Sequence, residues 1–345
     1  MPKRRHRSHV PVPAWERERG AIGRRLLGRS AQFYATAGVV VLVVAAIGLV
    51  AFGFGSNWLE DRNRPGSTAV QVGDTKYSLS YYTERLRQYI ESQGGAGSNV
   101  AQNPQLGLQP VSNALIEQAL LLQFAEEQGQ AATENELKAE IANMLSLTGP
   151  DDPNFETRLQ EELTRSNITE DQYRDTARSV VVKRKIMDKF KTEVPATSES
   201  IHYRQIILAD QSEADAVQKQ INDGADFAQV AGEKSLDTTA KENGGEVGWA
   251  PRGTLETALE DTLFALEPGQ VTTYPTAQNV FVYQVLEKQA DRPVEEAQKE
   301  PISVNNYQHW LDEKRASVRL VNHMEVSGGD LKKIQYALSR VQQTT

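Results

Sequence analysis

Residues 224–271 read GADFAQVAGEKSLDTTAKENGGEVGWAPRGTLETALEDTLFALEPGQV, a segment in the second half of the chain. Its pattern predicts a helix, a glycine-rich turn and a second helix. Residues 201–208 before it alternate as a strand does, and residues 280–286 form another β-rich run. Between 201–208 and 224–271, Ser212 is a candidate N-cap of a helix that Gly224 would end. The order strand, helix, helix, turn, helix, strand predicts an α+β domain.

A predominantly helical region precedes this domain. Two capping boxes, Thr133–Glu136 and Thr169–Gln172, are each followed by apolar residues at helical spacing, which predicts a helix at each position. A further helix is predicted over 112–127. Residues 94–110 are rich in Gly, Asn and Gln and are expected to form a loop. The chain therefore combines a helical region with the α+β domain.

A long uncharged segment lies near the N-terminus. Residues 34–54 read YATAGVVVLVVAAIGLVAFGF, and about 20 apolar residues in a helix span the hydrocarbon of a bilayer. This predicts a single transmembrane helix; a cleaved signal peptide is the alternative, although its apolar core is usually shorter. Residues 1–33 form a basic tail with nine Lys or Arg against two Glu. This imbalance predicts a cytoplasmic N-terminus and an extracytoplasmic C-terminal part in a plasma membrane.

Composition excludes several kinds of function. The whole chain has a formal net charge of −8 although the basic tail alone carries +7, so the remainder carries −15 and should repel nucleic acid. There are no cysteines, which excludes disulfides, a thiolate nucleophile and an anchor on a lipid-modified cysteine. The five histidines are scattered without the spacing of metal ligands. Neither a metal nor another cofactor is predicted.

Three linked motifs in the α+β region resemble the parvulin rotamase family. GADFAQVAGEKSLD (224–237) is similar to the helix that leads into the family's active-site loop, NGGEVGW (243–249) to its glycine-rich turn, and RGTLETALEDTLFALEPGQV (252–271) to its substrate-face helix. They occur in the family's order within residues 201–288, about a quarter of the chain. The resemblance implies peptidyl-prolyl cis–trans isomerase activity, no cofactor, and an FKBP-like β-α-α-β-α-β domain.

The flanking regions resemble the SurA and PrsA kind of extracytoplasmic chaperone, in which the last helix packs back onto the N-terminal domain. This resemblance rests on the order of the regions, on the TEDQYR helix start and on the WLDEKR helix. It implies a helical chaperone domain with the parvulin-like domain inserted. The implied boundaries are 1–33 for the tail, 34–54 for the membrane helix, 55–68 for a linker, 69–197 for the first part of the chaperone domain, 198–290 for the parvulin-like domain, 293–325 for the returning helix, and 326–345 for a terminal helix or tail.

The family's pattern also implies the residues of the site. Gln205 and Phe281 stand where the family has two histidines that face each other. The implied catalytic residues are Gln205, Asp237 and Gln278. The residues implied for the proline pocket are Leu255, Leu259 and Phe281.

Loss of the histidine pair changes the expected chemistry. Gln205 still forms hydrogen bonds, whereas Phe281 has no donor. His202 lies three residues before Gln205 and points to the opposite face of an alternating strand. It therefore does not replace the family histidine that Gln205 substitutes. Taken singly, Asp237 fits a cap and the pocket leucines fit ordinary helix core; their place among the three motifs favours the functional interpretation. A weak or lost isomerase activity is therefore an open alternative.

The leading hypothesis is an isomerase and folding chaperone that meets secreted or envelope proteins outside a bacterial plasma membrane. Its expected partners are unfolded or proline-containing polypeptides, the lipid bilayer through one helix, and an envelope or translocon protein. Two alternatives stay open. One is a non-catalytic holdase whose degenerate parvulin domain binds peptides without accelerating isomerisation. The other is a scaffold of an envelope complex that docks through the final helix from Asp330.

Overall fold

The structure is a computed structural model that describes residues 62–342. The predicted tail and membrane helix, residues 1–33 and 34–54, lie outside the described residues, as does the first half of the predicted linker, 55–61. Within 62–342, no helix is both long and apolar enough to cross a membrane. The chain divides into two units after Ser67, and the second unit contains all the elements discussed below.

A helical region forms the first part of this second unit. Strands β1 (Thr68–Val72) and β2 (Thr75–Ser78) make a hairpin that turns at Gly73. The helices that follow it are α1 (Leu79–Ser92), α2 (Asn99–Gln102), α3 (Leu108–Phe124), α4 (Glu134–Met144), α5 (Phe155–Ser166) and α6 (Glu170–Glu193). Short 3₁₀ turns at Gly95–Gly97 and Pro104–Gly107 lie between α1 and α3.

Local sequence explains where several of these helices begin. Both predicted capping boxes are confirmed, because each Thr hydroxyl accepts from the third helical N–H and each Thr N–H donates to the side chain of that third residue, Glu136 or Gln172. The expected loop over 94–110 is wrong in part, since the segment contains the short helix α2 and α3 already begins at Leu108. Pro110 lies in the first turn of α3, where a missing N–H costs no helical hydrogen bond. Helix α5 was not predicted.

A four-stranded antiparallel sheet with four helices follows α6. Its elements are β3 (Thr197–Leu208), α7 (Gln211–Asn222), α8 (Phe227–Lys234), α9 (Thr238–Asn243), β4 (Glu246–Pro251), α10 (Thr257–Ala265), β5 (Val271–Pro275) and β6 (Val280–Pro293). The strand order is β4-β3-β6-β5, so the long strands β3 and β6 lie at the centre. The structure thus confirms a mixed helical and sheet fold.

The two faces of this sheet bury different side chains. On one face, Ile206 of β3 packs in a cluster with Phe227 of α8. On the other face, Tyr203 of β3 belongs to a cluster with Leu263 of α10. This division follows from the alternation of side chains along a strand, which sends odd and even residues of β3 to opposite sides. Helix α10 therefore covers the face that carries the odd-numbered residues of β3.

The structure adds two elements to the predicted β-α-α-β-α-β order. Helix α9 has only six residues, and β5 is an edge strand whose side chains are half-buried without alternation, so neither has a strong sequence pattern. The predicted cap of α7 at Ser212 is wrong. The cap is Asp210, whose carboxylate accepts from the N–H of Glu213 at 2.9 Å. An Asp in that position stabilises the helix start because it accepts from an unpaired first-turn N–H.

Residues from both ends of the second unit share one core. Strand β7 (Leu320–Asn322) pairs antiparallel with β1 and completes a three-stranded sheet of order β2-β1-β7. Helix α11 (Glu296–Ser317) packs against α3 and α6, and helix α12 (Leu331–Gln342) packs against α1. Tyr307 and Trp310 of α11 are buried in the cluster that α1 and α3 also fill. The chain thus returns to its first helices after the four-stranded sheet.

Candidate active site

Helix α10 and the central strands form an apolar surface. Leu255 precedes α10 and Leu259 lies in its first turn, where the Glu256 carboxylate accepts from the Leu259 N–H at 3.3 Å. Both leucines are partly buried and pack, together with Phe281 of β6, against the cluster on this face of the sheet. The structure therefore brings the three predicted pocket residues onto one surface. We call Leu255, Leu259 and Phe281 the pocket wall.

Three tyrosines outside the predicted site pack beneath or beside this surface. The Phe281 ring stacks on that of Tyr283, with centroids 5.6 Å apart and 5° between the planes. The rings of Tyr203 and Tyr274 lie 5.9 and 6.5 Å from that of Tyr283. Tyr283 follows Phe281 by two residues, so the alternation of side chains along β6 places both on the same face of the sheet. That periodicity was the signal that could have identified Tyr283 from the sequence.

The hydroxyls of these tyrosines stay protonated near neutral pH. Burial raises the pKa of Tyr283 far above its usual value and also raises the pKa of Tyr203. At the rim, the Tyr274 hydroxyl donates to the Glu256 carboxylate at 3.0 Å, which raises the pKa of Tyr274. The pKa of Glu256 is lowered, mainly by the bond from the N–H of Ala258. The surface thus carries neutral phenols beside one ionised carboxylate.

Gln205 lies at the centre of the same face. It is opposite Tyr283 in the pairing of β3 with β6, and its backbone N–H donates to the Gly245 carbonyl at 2.8 Å. Its side chain is half-buried and makes no hydrogen bond within residues 62–342. A primary amide both donates and accepts. Gln205 therefore supplies an uncommitted polar group on the face that carries the pocket wall.

Asp237 and Gln278 have other surroundings. Asp237 is the N-cap of α9, and its carboxylate accepts from the N–H of Thr239 at 2.9 Å. Gln278 is exposed in the turn between β5 and β6. Across the described part of the chain, no hydrogen bond joins the side chains of Gln205, Asp237 and Gln278. The structure thus brings the three pocket residues together, whereas the Asp237 carboxylate caps helix α9.

His202 lies on the opposite face of the sheet. The register shifts in this region fall on β4 and β6, so β3 alternates without interruption and His202 points away from Gln205. Its ring stacks on Trp249 with centroids 5.1 Å apart and contacts the Glu246 carboxylate. The Arg292 guanidinium lies over the Trp249 ring, 4.9 Å from its centroid. His202 therefore does not take the place of a site imidazole.

Gly245 lies directly against Gln205, and we expect it to tolerate no side chain. Its φ is +82°, and an added Cβ would lie 2.5 Å from the Gln205 carbonyl oxygen. Gly248 provides the control, because its φ is +101° but open space surrounds it. Gly245→Ala should lower the free energy of unfolding by about 1–3 kcal/mol more than Gly248→Ala, the range for overpacking. Urea denaturation measures both, and equal losses would contradict the close approach.

Sequence comparison assigns both parts of the chain to known families. The model for the SurA-like N-terminal domain matches residues 29–187, and the model for the PPIC-type PPIASE domain matches residues 183–289. The second match covers β3 to β5, most of β6 and the pocket wall. The chain therefore has a SurA-like N-terminal region followed by a PPIC-type parvulin domain, an order similar to that of SurA- and PrsA-like proteins.

Several characterised proteins are similar to this chain. The foldase protein PrsA of Caldanaerobacter subterraneus subsp. tengcongensis is 27% identical over 163 residues, which is 47% of this chain and 51% of that protein. The foldase protein PrsA of Exiguobacterium sibiricum is 30% identical over 173 residues, 46% of this chain and 51% of that protein. A solved structure of the peptidylprolyl isomerase PrsA from Bacillus anthracis has a TM-score of 0.36 and 17% identity, covering 67% of this chain and 94% of that one. The chain spans about half the length of these first two relatives.

Proposed function

We propose that this chain is a peptidyl-prolyl cis–trans isomerase and folding chaperone for secreted or envelope proteins on the extracytoplasmic side of a bacterial membrane. The observation that carries the proposal is the pocket wall, which gathers three apolar side chains around a sheet face that also holds Gln205. The match to the PPIC-type PPIASE model supports the reaction, and the relatives named foldase support the folding role.

The reaction needs shape and polarity rather than a nucleophile. Rotation about an X-Pro amide crosses a barrier of about 18–20 kcal/mol, while its cis and trans forms differ by only about 0.5–1 kcal/mol. A catalyst therefore has to bind the twisted amide better than either planar form. An apolar wall holds the proline ring, and nearby hydrogen-bonding groups favour the twisted state in a partly dry site.

The residues of this chain divide between these two tasks. Leu255, Leu259 and Phe281 hold the proline ring. Gln205 acts as the hydrogen-bonding group in place of the first histidine of the family. Asp237 and Gln278 are assigned polar roles at the rim by the family pattern, and Asp237 also fixes the loop by capping α9. Phe281 adds apolar surface where the family has its second histidine, so the chemistry depends on one amide rather than an imidazole pair.

The proposal also includes the domain arrangement and membrane topology of the chain. Residues 69–197 and 293–325 form one chaperone domain, 198–290 form the inserted isomerase domain, and 326–345 form a terminal element. The packing of α11 against α3 and α6 supports this division. The segment 34–54 spans the membrane once, with the tail 1–33 in the cytoplasm and 55–68 as a linker. Clients are unfolded or proline-containing polypeptides, and an envelope or translocon protein is a further partner.

A relaxation assay on an X-Pro peptide without any protease tests the proposal. The full chain should accelerate cis-to-trans relaxation, and a Gln205→Ala, Asp237→Ala variant should lose about tenfold or more of the acceleration, as expected when positioned hydrogen-bonding groups are removed. The control variant is Gln220→Ala, Asp223→Ala, which removes the same residue types from the exposed end of α7. It should retain the activity of the unmodified chain.

One outcome would count against the isomerase, and another against its assigned polar residues. A folded chain that binds the peptide without accelerating relaxation would favour the non-catalytic holdase. Equal activity of the site variant and the unmodified chain would remove Gln205 and Asp237 from the site.

A further inference from the structure

Helix α11 holds the segment that leads into the pocket wall. The Asn305 side-chain amide donates to two backbone carbonyls of this segment, that of Gly253 at 2.8 Å and that of Leu255 at 3.2 Å. Leu255 is itself a member of the pocket wall. One side chain of α11 therefore fixes the backbone on which a pocket residue stands.

Two neighbouring turns of α11 contact the same segment. His309 Nε2 and the Thr257 hydroxyl are 2.7 Å apart, at the start of α10. Ile302 lies over Gly253, where an added Cβ would be 3.3 Å from the Ile302 side chain. Residues 302, 305 and 309 form one stripe along a helix, because residues three, four and seven apart share a face. The contact is thus made by a whole face of α11.

The other side of α11 is fixed in the helical region. The Tyr307 hydroxyl donates to the Glu117 carboxylate at 2.5 Å, and Lys314 pairs with Glu127 at 2.7 Å. Trp310 is buried in the same core. Since one rigid helix makes both sets of contacts, the position of the pocket segment depends on the helical region.

We propose that Asn305 is a positioning residue for the pocket wall, and that through it the helical region sets the affinity of the isomerase site for proline-containing peptide. This inference rests on the proposed function and deepens it. Asn suits the position because its amide nitrogen carries two donors, enough for both carbonyls. Asp has the same shape and no donor, and its charge would repel the two carbonyl oxygens.

The test compares Asn305→Asp with Asn306→Asp in the full chain. The two variants add the same charge one residue apart on the same helix, and Asn306 makes no side-chain hydrogen bond among the described residues. In Asn305→Asp, amides of residues 252–259 should exchange with deuterium about 3–10-fold faster, the range for one lost hydrogen bond. The apparent KM for peptide should rise by about the same factor while kcat changes less than twofold, as expected when uniform binding is lost.

Asn306→Asp should leave exchange, KM and kcat unchanged. A second variant, His309→Ala, should also speed exchange in 252–259, and His309→Gln should restore it because an amide can still bond to Thr257. Unchanged exchange in Asn305→Asp would overturn the contact. Faster exchange with an unchanged KM would overturn its role in peptide affinity.

Failure of the proposed function looks different from failure of this inference. An unmodified chain that neither binds nor isomerises peptide would defeat the proposed function and, with it, the link to affinity. Normal isomerisation in both Asp variants, with equal KM, would defeat the positioning role alone.

Discussion

Leu259→Asp is expected to weaken binding of a proline-containing peptide by about 10–100-fold, which corresponds to losing the burial of one leucine-sized apolar contact. Leu259 is partly buried against the cluster beneath α10, beside Leu255 and Phe281. A carboxylate at this point would have to lose water whenever the proline ring enters, and no cation of the pocket wall would compensate it. Isothermal titration with an unfolded proline-containing peptide measures the change.

Ala258→Asp is the matched control for this experiment. It adds the same charge one residue earlier on α10, at an exposed position. Peptide affinity should stay within about twofold, because a solvated surface charge contributes little. If both variants bound peptide as well as the unmodified chain, the proline ring would not sit on this surface.

Tyr307→Ala should lower the free energy of unfolding by about 3–5 kcal/mol, the range for truncating a buried aromatic side chain. Tyr307 is 1% exposed and lies in the core where α11 meets α3 and α6. Its ring also lies 6.0 Å from that of Trp310 and beneath the Lys183 ammonium group. Urea denaturation followed by circular dichroism of the helices measures the loss.

Tyr307→Phe separates the ring from its hydroxyl. It keeps the packing and removes only the bond to Glu117, which Lys183 continues to pair at 2.7 Å. The expected loss is about 1–2 kcal/mol, since hydrogen bonds to charged groups are worth somewhat more than neutral ones. Equal losses in the Phe and Ala variants would mean that the hydroxyl, and not packing of the ring, holds α11 in place.

Much of the fold could be predicted where local patterns are strong. The capping boxes at Thr133 and Thr169 carry their own physical reason, because side chain and backbone satisfy each other within one turn. The motif string over 224–271 likewise indicated helices around a glycine-rich turn. Helix α5 and strand β5 lacked such signals. α5 has few buried residues, and β5 is an edge strand that depends on pairing with β6.

In the candidate site, the pocket residues could be predicted from the sequence, but the residues that support them could not. Leu255 and Leu259 lie four residues apart and Phe281 belongs to a separate strand, yet the family pattern placed them together and the structure packs them on one surface. Tyr274 and Asn305 could not be identified in this way. Their importance comes from tertiary contacts, with Glu256 and with the segment before α10, that no local pattern encodes.

Photo-crosslinking of a proline-containing peptide tests whether the proline binds at the pocket wall. The peptide would carry a photoreactive group beside its proline, and mass spectrometry would locate the sites of attachment on the full chain. We expect attachment at or next to Leu255, Leu259 and Phe281, and we expect excess unlabelled peptide to suppress it. Attachment confined to the face covered by α7 and α8, or to helices α1–α6, would contradict a proline site at the pocket wall.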